Sequence, residues 1–591
     1  MADISRRNFL IGGVGTWSAI WTAGCTGGLT PYLHGVASGD PQSDRVIIWT
    51  RIEPEGLMRA DRKVYGRYEV ARDPLFRQSV CSGTFATDAQ KDFTVKIDVV
   101  GLESAQQYYY RFITDGFVSP TGKTRTAGKS SQRKVFLAFF SCANYTSGYF
   151  NAYGYAEKLD KIDAVVHLGD YIYEYGMKDA DGSAAYGTKN AAKIGRELPA
   201  WTASECRTLD DYRKRYALYR RDPMLQKLHR SVPFLCIWDD HEMVNDTGSE
   251  QADGMDEDTF ARRKRAAVTA YAEWMPVRMH DEKQIYRQVR FGDLVTLYLL
   301  DTRLEGRSQR IDLAKEIEDK AFSDIDASAL FGILSSDRRA AMMSERQWQW
   351  FERSFRRSKT RWNVVAQQVL VAPIALPAEL VVMFWRYVNA ATGKDEKRRL
   401  RTQIETVGEE LAAIRLRMLK NDASLTHEER LRVTTVLPVN TDAWDGYPHQ
   451  RARLLKLLAQ RAESTLVFSG DSHNAWLNRL DTSDGRRAGW EIGVPSVTSP
   501  GIESELELTT HEKVEKLEEA LALFCSDVRF CNLSERGFVV AEFMQEGVNV
   551  HWLFMQNVEA KDIRLNMARC RRFQISLPGG HDKIAAKTTF Y

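Results

Sequence analysis

The chain has 591 residues, of which 43% are hydrophobic and 27% are charged, as in ordinary globular proteins. This length exceeds the size at which one core keeps growing, so we expect a large domain with at least one smaller unit. The formal net charge of +3 is too small to indicate a nucleic acid or an anionic membrane surface as the partner. No nucleic-acid-binding surface is therefore expected.

Residues 1–25 have the pattern of a twin-arginine export signal. The segment SRRNFL begins at Ser5 and precedes a moderately apolar stretch that is too short and Gly-rich for a spanning helix. The pattern predicts export by the Tat machinery to the periplasm or the cell surface. Cys25 follows Thr-Ala-Gly, which resembles a lipoprotein processing site. Two alternatives remain: lipidation of Cys25, which would anchor the protein to a membrane, or a signal that is simply cleaved or left uncleaved.

Export would place the eight cysteines in an oxidising compartment, where disulfides are stable. Spacing alone cannot pair them. Cys525 and Cys531 are the first pair to test for a disulfide, whereas Cys236 has the setting of a buried core thiol.

Residues 31–130 are predicted to form a small N-terminal antiparallel β-sandwich domain. The segment alternates β-favouring runs with turn residues, and no part of it has long helical periodicity. The runs are VIIWTRI, KVYGRYEVA, FTVKIDVVGL and QQYYYRFIT. A polar linker at residues 126–133 marks the expected domain boundary.

Residues 134–570 are predicted to form the catalytic domain, of the α/β (α+β) class. Strand-like runs alternate there with helical segments at residues 208–229 and 345–358. Two helical insertions are expected near residues 375–440 and 503–524, because apolar residues recur in both at helical spacing. We interpret both apolar stripes as packing on the core, with a lid over the site or a dimer contact as the alternatives.

Five apolar, strand-like runs end on side chains that bind metals or transfer protons. Ligands collect at the carboxyl ends of strands in open α/β architectures, so these ends can converge on one site. Each cluster alone also fits a capping carboxylate or a core histidine, but together they indicate a metal-dependent hydrolase. The runs are FLAFFSC at Cys142, AVVHLGDYIYE around Asp170 and Tyr173, FLCIWDDHE around Asp240 and His241, LVTLYLLDTR around Asp301, and LVFSGDSHNAW around Asp471 and His473.

The order of the motifs resembles the PhoD family of alkaline phosphatases and phosphodiesterases, within the calcineurin-like metallophosphoesterase superfamily. The resemblance extends from residue 34 to about residue 501 and implies a layered β-sandwich flanked by helices. Its segments are HGVASGDPQSDRVIIWTR, FSCANYTSGYFNAY, HLGDYIYE, IWDDHE, LDTR, WDGYPHQR, SGDSHNAW and PSVTSPG.

The resemblance also implies a ligand set for one Fe3+ and Ca2+. Cys142, Tyr173 and His473 match the iron ligands, and Asp170 matches the carboxylate that bridges the ions. On the calcium side, Asp471 matches the carboxylate, and Asn245 is the candidate amide ligand, with Asp240 or Asp246 as alternatives. Thiolate, phenolate, imidazole and carboxylate suit ferric iron, whereas oxygen ligands suit calcium.

The expected function is hydrolysis of phosphate monoesters or diesters by in-line attack of metal-bound hydroxide on phosphorus. His241 and Asp240 are the candidate catalytic residues: His241 would stabilise the phosphoryl group or protonate the leaving alkoxide, or else orient Asp240. Arg303 is a candidate phosphate contact, with a structural ion pair as the alternative.

Two other functions are compatible with the same motifs. One is a phospholipase-D-like phosphodiesterase, because the same ions serve either substrate and only the walls of the site differ. The other is a vestigial hydrolase that acts as a lipid-anchored binding protein through its β-rich N-terminal region. The complete set of cysteine, tyrosine and histidine ligands argues against a vestigial site, and visible absorption by ferric iron would discriminate the two.

Overall fold

The computed structural model describes residues 30–54, 63–130, 132–179, 182–252, 254–279, 284–313, 315–317, 326–389, 394–508, 510–576 and 583–585. The predicted export signal at residues 1–25, with Cys25, lies outside the described residues. Among the helices that the structure describes, none combines the length and the apolar character needed to cross a bilayer.

The strands are named in chain order. They are β1 (Val36–Gly39), β2 (Arg45–Arg51), β3 (Val64–Ala71), β4 (Ser79–Thr87), β5 (Thr94–Val100), β6 (Gln107–Thr114), β7 (Phe117–Val118), β8 (Gly122–Arg125), β9 (Lys134–Phe140), β10 (Ala164–His167), β11 (Phe234–Cys236), β12 (Arg287–Phe291), β13 (Val295–Leu299), β14 (Trp362–Gln367), β15 (Ala375–Pro377), β16 (Val436–Pro438), β17 (Thr465–Ser469), β18 (Ala475–Asp481), β19 (Arg487–Gly493), β20 (Val528–Asn532), β21 (Gly537–Met544), β22 (Gly547–Phe554), β23 (Arg571–Ser576) and β24 (Lys583–Ala585).

The α-helices are named in the same way. They are α1 (Asn151–Ala156), α2 (Ala191–Ile194), α3 (Leu209–Arg220), α4 (Pro223–Ser231), α5 (Glu257–Trp274), α6 (Ala327–Ser336), α7 (Glu345–Arg357), α8 (Ala378–Asn389), α9 (Lys394–Leu419), α10 (His427–Thr434), α11 (Pro448–Leu458), α12 (Ile502–Glu505) and α13 (His511–Phe524).

Two large sheets form the layers of the catalytic domain. The ten-stranded sheet has the order β24-β23-β22-β21-β9-β10-β11-β1-β2-β5, and the seven-stranded sheet has the order β12-β13-β14-β17-β19-β18-β20. The sheets pack face to face: the rings of Phe139 on β9 and Phe468 on β17 stack with centroids 3.7 Å apart. The predicted layered β-sandwich with flanking helices is confirmed.

The N-terminal region forms a β-sandwich, as predicted, but one of its layers continues into the catalytic domain. Strands β3, β4, β6, β7 and β8 form an antiparallel sheet, and a core that includes Ile48 and Phe112 joins it to the layer of β1, β2 and β5. Gly39 on β1 pairs with Phe234 on β11 in parallel register. The linker at residues 126–133 therefore separates chain segments without interrupting the ten-stranded sheet.

Helix α7 illustrates how local sequence produces the flanking layers. The Ser344 side chain accepts a hydrogen bond from the backbone N–H of Gln347 and caps the helix. Trp348, Phe351 and Phe355 follow at helical spacing and are buried. The Phe351 ring meets Tyr298 of β13 edge-on at 5.4 Å, so the apolar face of α7 covers the seven-stranded sheet.

The two segments predicted as insertions are helical and contact each other. Residues 375–440 contain α8, α9 and α10 with the two-stranded sheet β15-β16, and residues 503–524 include most of α12 and all of α13. Arg401 of α9 pairs with Glu507 at 3.0 Å, and Lys513 of α13 pairs with Glu405. The segments thus form one helical layer beside the catalytic sheets.

The structure contains free thiols at each of the seven cysteines that it describes. The Cys525 thiol donates to the carbonyl of Ala375 at 3.3 Å, and the Cys531 thiol donates to that of Glu518 at 3.6 Å. A Cys525–Cys531 disulfide is therefore contradicted, because each thiol has a separate backbone partner. Cys236 is fully buried, as predicted.

Candidate metal centre

The carboxyl ends of parallel strands from both large sheets meet at one edge of the sandwich. Strands β9, β10 and β11 run parallel in one sheet, and β13, β14, β17 and β19 run parallel in the other. Two glycines allow the ends of these strands to approach one another closely. A Cβ atom on Gly169, which has a φ of +110°, would lie 2.4 Å from the Cβ of Asp239, and one on Gly470 would lie 2.9 Å from that of Ser141.

This meeting of strand ends brings together three predicted metal ligands that are far apart in sequence. Ligand atoms of Cys142, Asp170 and His473 all lie within 4.8 Å of one another. The Tyr173 hydroxyl donates to Oδ2 of Asp170 at 3.0 Å and lies 3.1 Å from Nε2 of His473. All four predicted iron ligands are therefore adjacent.

Four of the predicted ligands have a left-handed backbone conformation. The φ angles are 57° at Cys142, 53° at Asp170, 60° at Asp471 and 60° at His473. Non-glycine residues rarely adopt positive φ, and such strain is concentrated at functional sites. The strain here turns each side chain from the end of its strand toward the common centre.

Acidic residues extend the cluster beyond Asp170. Ligand atoms of Asp170, Asp240 and His241 lie within 4.8 Å of one another, as do those of Asp239, Asp240 and Asp471. Oδ2 of Asp239 and Oδ1 of Asp240 are buried without a hydrogen-bond partner. An unpartnered buried carboxylate oxygen is costly, and a cation is one way to satisfy it.

The hydrogen bonds of His473 fix which of its nitrogens can bind a metal. Nδ1 lies 2.6 Å from the backbone carbonyl of Pro500, which can only accept, so Nδ1 carries the proton and Nε2 is left with a free lone pair. The Tyr186 hydroxyl donates to the same carbonyl at 2.6 Å. Burial lowers the pKa of His473 to about 3, which keeps the imidazole neutral.

His241 lies against Tyr173 and is held by Glu174. The two rings stack with centroids 4.2 Å apart, and Nδ1 of His241 lies 2.8 Å from Oε2 of Glu174. Burial opposes protonation, but the carboxylates of Glu174, Asp240 and Asp170 outweigh it and raise the pKa of His241 well above its usual value. These carboxylates therefore favour the protonated form of His241.

The protonation equilibria of the cluster fit a centre that needs bound cations. Burial, with added repulsion from neighbouring carboxylates, raises the pKa of Asp170 and of Asp471 well above the usual range. Burial likewise raises the pKa of the Cys142 thiol. A bound cation reverses this effect because it stabilises the deprotonated ligands. The donor set of thiol, phenol, imidazole and carboxylates thus fits a metal pair.

The side chain of Arg303 is fully buried, and the carboxylates around it compensate its positive charge. Its guanidinium contacts Asp239, lies 3.1 Å from Asp471 and 2.7 Å from Asp442, and its side chain has no exposed surface. The sequence offered phosphate contact and a structural ion pair as alternatives. The geometry is that of an ion pair, because the donor nitrogens already face protein carboxylates.

A cleft of about 260 Å³ opens onto the cluster. Asn245 lines it as an exposed residue, and its backbone N–H donates to Glu174 at 2.9 Å. The helical segments also reach it, through Asn440 after β16 and through Ile502 and Glu505 of α12. The insertions therefore form part of the cleft wall in addition to packing on the core.

Several residues of the centre were not identified from the sequence. Asp239 adjoins Asp240 in the DDHE motif, and Ser499, which donates to the Tyr173 hydroxyl at 2.7 Å, lies in the PSVTSPG motif. Both had a signal in the motifs. Glu174 ends the HLGDYIYE motif and so had a signal as well, whereas Tyr186 and Asp442 had none beyond their residue type, because their roles depend on long-range contacts.

Comparison with known proteins agrees with this architecture. The family model described as PhoD-like phosphatase matches residues 137–552, and the model for the N-terminal domain of PhoD-like phosphatase matches residues 24–128. Alkaline phosphatase D of Bacillus subtilis (strain 168) is 31% identical over 488 residues, which cover 80% of this chain and 70% of that protein. A solved structure of PhoD aligns with a TM-score of 0.69 and 26% identity, over 95% of this chain and 93% of that one.

The fold, the site and these similarities define a phosphoric ester hydrolase. The chain belongs to the PhoD-like phosphatase family, whose model spans most of it, including every residue of the metal centre described above.

Proposed function

We propose that this chain is an exported, metal-dependent hydrolase of phosphate esters that holds Fe3+ and Ca2+ at the strand-end cluster. The observation that carries the proposal is the convergence of Cys142, Asp170 and His473 within 4.8 Å, with Tyr173 beside them. Cys142, Tyr173, His473 and Asp170 would hold the ferric ion. Asp170, Asp240, Asp471 and Asn245 offer the oxygen ligands that suit calcium.

When bound, the two ions supply the positive charge that draws electron density from the phosphoryl oxygens and that lowers the pKa of a water nucleophile. The chain contributes rigid positioning. Glu242 accepts hydrogen bonds from the backbone N–H groups of Asp170 at 2.9 Å and Asp239 at 2.7 Å, so one buried carboxylate fixes two strand ends. Pre-positioned ligands avoid reorganisation during the reaction.

His241 would serve as the proton donor to the departing alkoxide. The imidazole lines the cleft, and its Nδ1 lies 2.8 Å from Oε2 of Glu174, which holds the ring in place. The raised pKa of His241 favours the protonated form that a proton donor requires. Asp240 contributes to that shift in pKa and helps to hold the cations.

The charge of the cleft favours phosphodiesters over monoesters. Apart from the proposed cation ligands Asp240 and Asp471, the described residues that line it include the acidic Asp246 and Glu505 and no Lys or Arg. A diester carries one negative charge and a monoester carries two at alkaline pH, so an acidic wall repels the diester less. The phospholipase-D-like alternative is a member of this diesterase class.

Purified metal-loaded protein assayed on matched aryl monoesters and diesters, with elemental analysis alongside, tests the proposal. We expect stoichiometric iron, bound calcium, and a higher kcat/KM for the diester. Protein that folds but neither binds iron nor hydrolyses either ester would support the vestigial-hydrolase alternative. Higher kcat/KM for the monoester would refute the charge argument alone.

Export through the Tat machinery to the periplasm or cell surface, with lipidation at Cys25, completes the proposal. It rests on the SRRNFL segment and on the Thr-Ala-Gly-Cys sequence that ends at Cys25. Replacing Arg6 and Arg7 by Lys should retain the protein in the cytoplasm. Cys25→Ala should leave export intact and release the protein from the membrane fraction, unless the signal is processed without lipidation.

A further inference from the structure

A second cleft, of about 500 Å³, lies between α7 and the outer strands of the seven-stranded sheet. Thr296, the second residue of β13, and Tyr298 form part of its lining. The metal centre follows the opposite, carboxyl end of the same sheet, beyond Leu299. The two clefts share no lining residue, so the second one is separate from the metal centre.

The charge of this cleft is entirely positive. Arg290 of β12, Arg353 and Arg357 of α7, and Lys359 line it, and no carboxylate does. The ion pairs between described residues include none of these four cations, and Arg290 contacts only the backbone carbonyl of Gly292, at 3.5 Å. The whole chain carries a formal charge of only +3, so this concentration of positive charge does not reflect a general excess.

Two other clefts in the described part of the chain bring residues of both charges together. In the adjoining cleft, Arg287 pairs with Asp40 at 2.5 Å and Arg278 pairs with Asp98 at 2.7 Å. A larger cleft beside α5 brings three basic and three acidic residues together: Lys264, Arg265, Arg346, Glu250, Glu257 and Glu305. The lack of any lining carboxylate therefore distinguishes the cleft at α7 from these two clefts.

The geometry suits a ligand with more than one phosphate. Arg353 and Arg357 are four residues apart on α7, so their side chains project from the same face, opposite Arg290 on β12. Guanidinium groups bind phosphate through two parallel hydrogen bonds, and a cleft of this volume accommodates a small molecule. The half-buried ring of Trp350 offers an apolar contact within the same cleft.

We propose that this cleft is a binding site for a small anion that bears two or more phosphate or phosphonate groups. The site does not depend on the proposed function of the metal centre. Cations in the last turn of a helix also stabilise its dipole, but that role explains neither Arg290 nor Lys359, which lie outside α7. A concave site with cations on two sides suits a discrete ligand better than a flat membrane surface.

Calorimetric titration of the full-length, metal-loaded protein with methylenediphosphonate tests this proposal, because this probe has no bond that a phosphoesterase cleaves. We expect two binding sites in the unaltered protein, one at the metal centre and one at α7. The double variant Arg353→Glu, Arg357→Glu should weaken the second site by at least about tenfold through repulsion. Its kcat on a small aryl ester should be unchanged.

A matched control is Arg338→Glu with Arg339→Glu, which makes the same charge change at exposed residues outside the cleft. This control should keep both sites. If the α7 variant does not fold, Arg290→Gln with Lys359→Gln removes two of the cations without altering the helix and should give the same loss. Binding that is identical in all variants overturns the proposal. So does a variant that loses only binding to anionic lipid vesicles, which would assign the cations to a membrane surface.

Discussion

The hydroxyl of Tyr173 lies 3.1 Å from Nε2 of His473, a residue 300 positions later in the chain. The same hydroxyl donates to Asp170 and accepts from Ser499. Residues that follow three different strands, β10, β17 and β19, thus meet at a single oxygen atom. Nε2 is the nitrogen of His473 that has no other protein partner, so this oxygen and this nitrogen face the same position in the cluster.

Tyr173→Phe should weaken and shift the visible absorption of the iron-loaded protein, because the charge-transfer band of a phenolate on ferric iron is lost while any contribution of the Cys142 thiolate remains. Tyr171→Phe is the matched control. Tyr171 is equally buried, but its hydroxyl is hydrogen-bonded to His229 at 2.8 Å, away from the cluster. Absorption spectra of the three proteins check this prediction. An unchanged band in Tyr173→Phe would assign the colour to another ligand.

Cys142→Ala should reduce iron content and lower kcat/KM for aryl phosphate esters by at least about 100-fold, because the electrostatic stabilisation of the transition state depends on the bound ion. Cys236→Ala is the control, since both thiols are fully buried and only Cys142 faces the cluster. Elemental analysis and steady-state kinetics give the comparison. Equal activity in the two variants would refute the assignment of Cys142.

Arg303→Met should destabilise the protein by about 3–5 kcal/mol, because it leaves buried carboxylates without their cation. These include Asp239 and Asp471, whereas Asp442 keeps its ion pair with Arg307. Added calcium should recover part of the loss by neutralising the same carboxylates. Urea unfolding with and without calcium measures both effects, with the exposed Arg338→Met as control. A variant of normal stability with a raised KM would instead support a phosphate contact.

Buried His34 and His167 should each make a contribution to stability that falls as the pH drops below about 6.5, the usual pKa of histidine in an unfolded chain, whereas the raised pKa values of Asp170 and Asp471 act in the opposite direction. Burial lowers the pKa of His34 to about 2 and that of His167 to about 3 in the folded protein. At pH values between the folded-state pKa and about 6.5, the unfolded chain binds protons at these histidines that the folded chain does not. Each such histidine costs about 1.4 kcal/mol per pH unit of acidification.

Urea unfolding between about pH 5 and pH 8 measures this dependence. His34→Gln should reduce the slope of stability against pH by the contribution of one proton. A slope that is the same in the variant and the unaltered protein would mean that His34 is protonated in the folded state.

The candidate ligand clusters could be predicted from the sequence because they follow apolar runs. Such a run consists of neighbouring residues, so it can be recognised without knowledge of the tertiary structure. The same patterns predicted the layered catalytic domain, the N-terminal β-sandwich and the two helical segments. Cys525 and Cys531 show the limit of local spacing. They are close in sequence, but their thiols have separate backbone partners, at Ala375 and Glu518.

The sequence by itself determined the fold class and the family resemblance, and through that resemblance the candidate metal ligands, since strand periodicity and motifs are properties of contiguous residues. Tertiary structure alone decided that Arg303 faces carboxylates, that Pro500 sets the proton position on His473, and that unpaired cations line a cleft beside α7. These features depend on distances between side chains from different strands and helices, which no local pattern encodes.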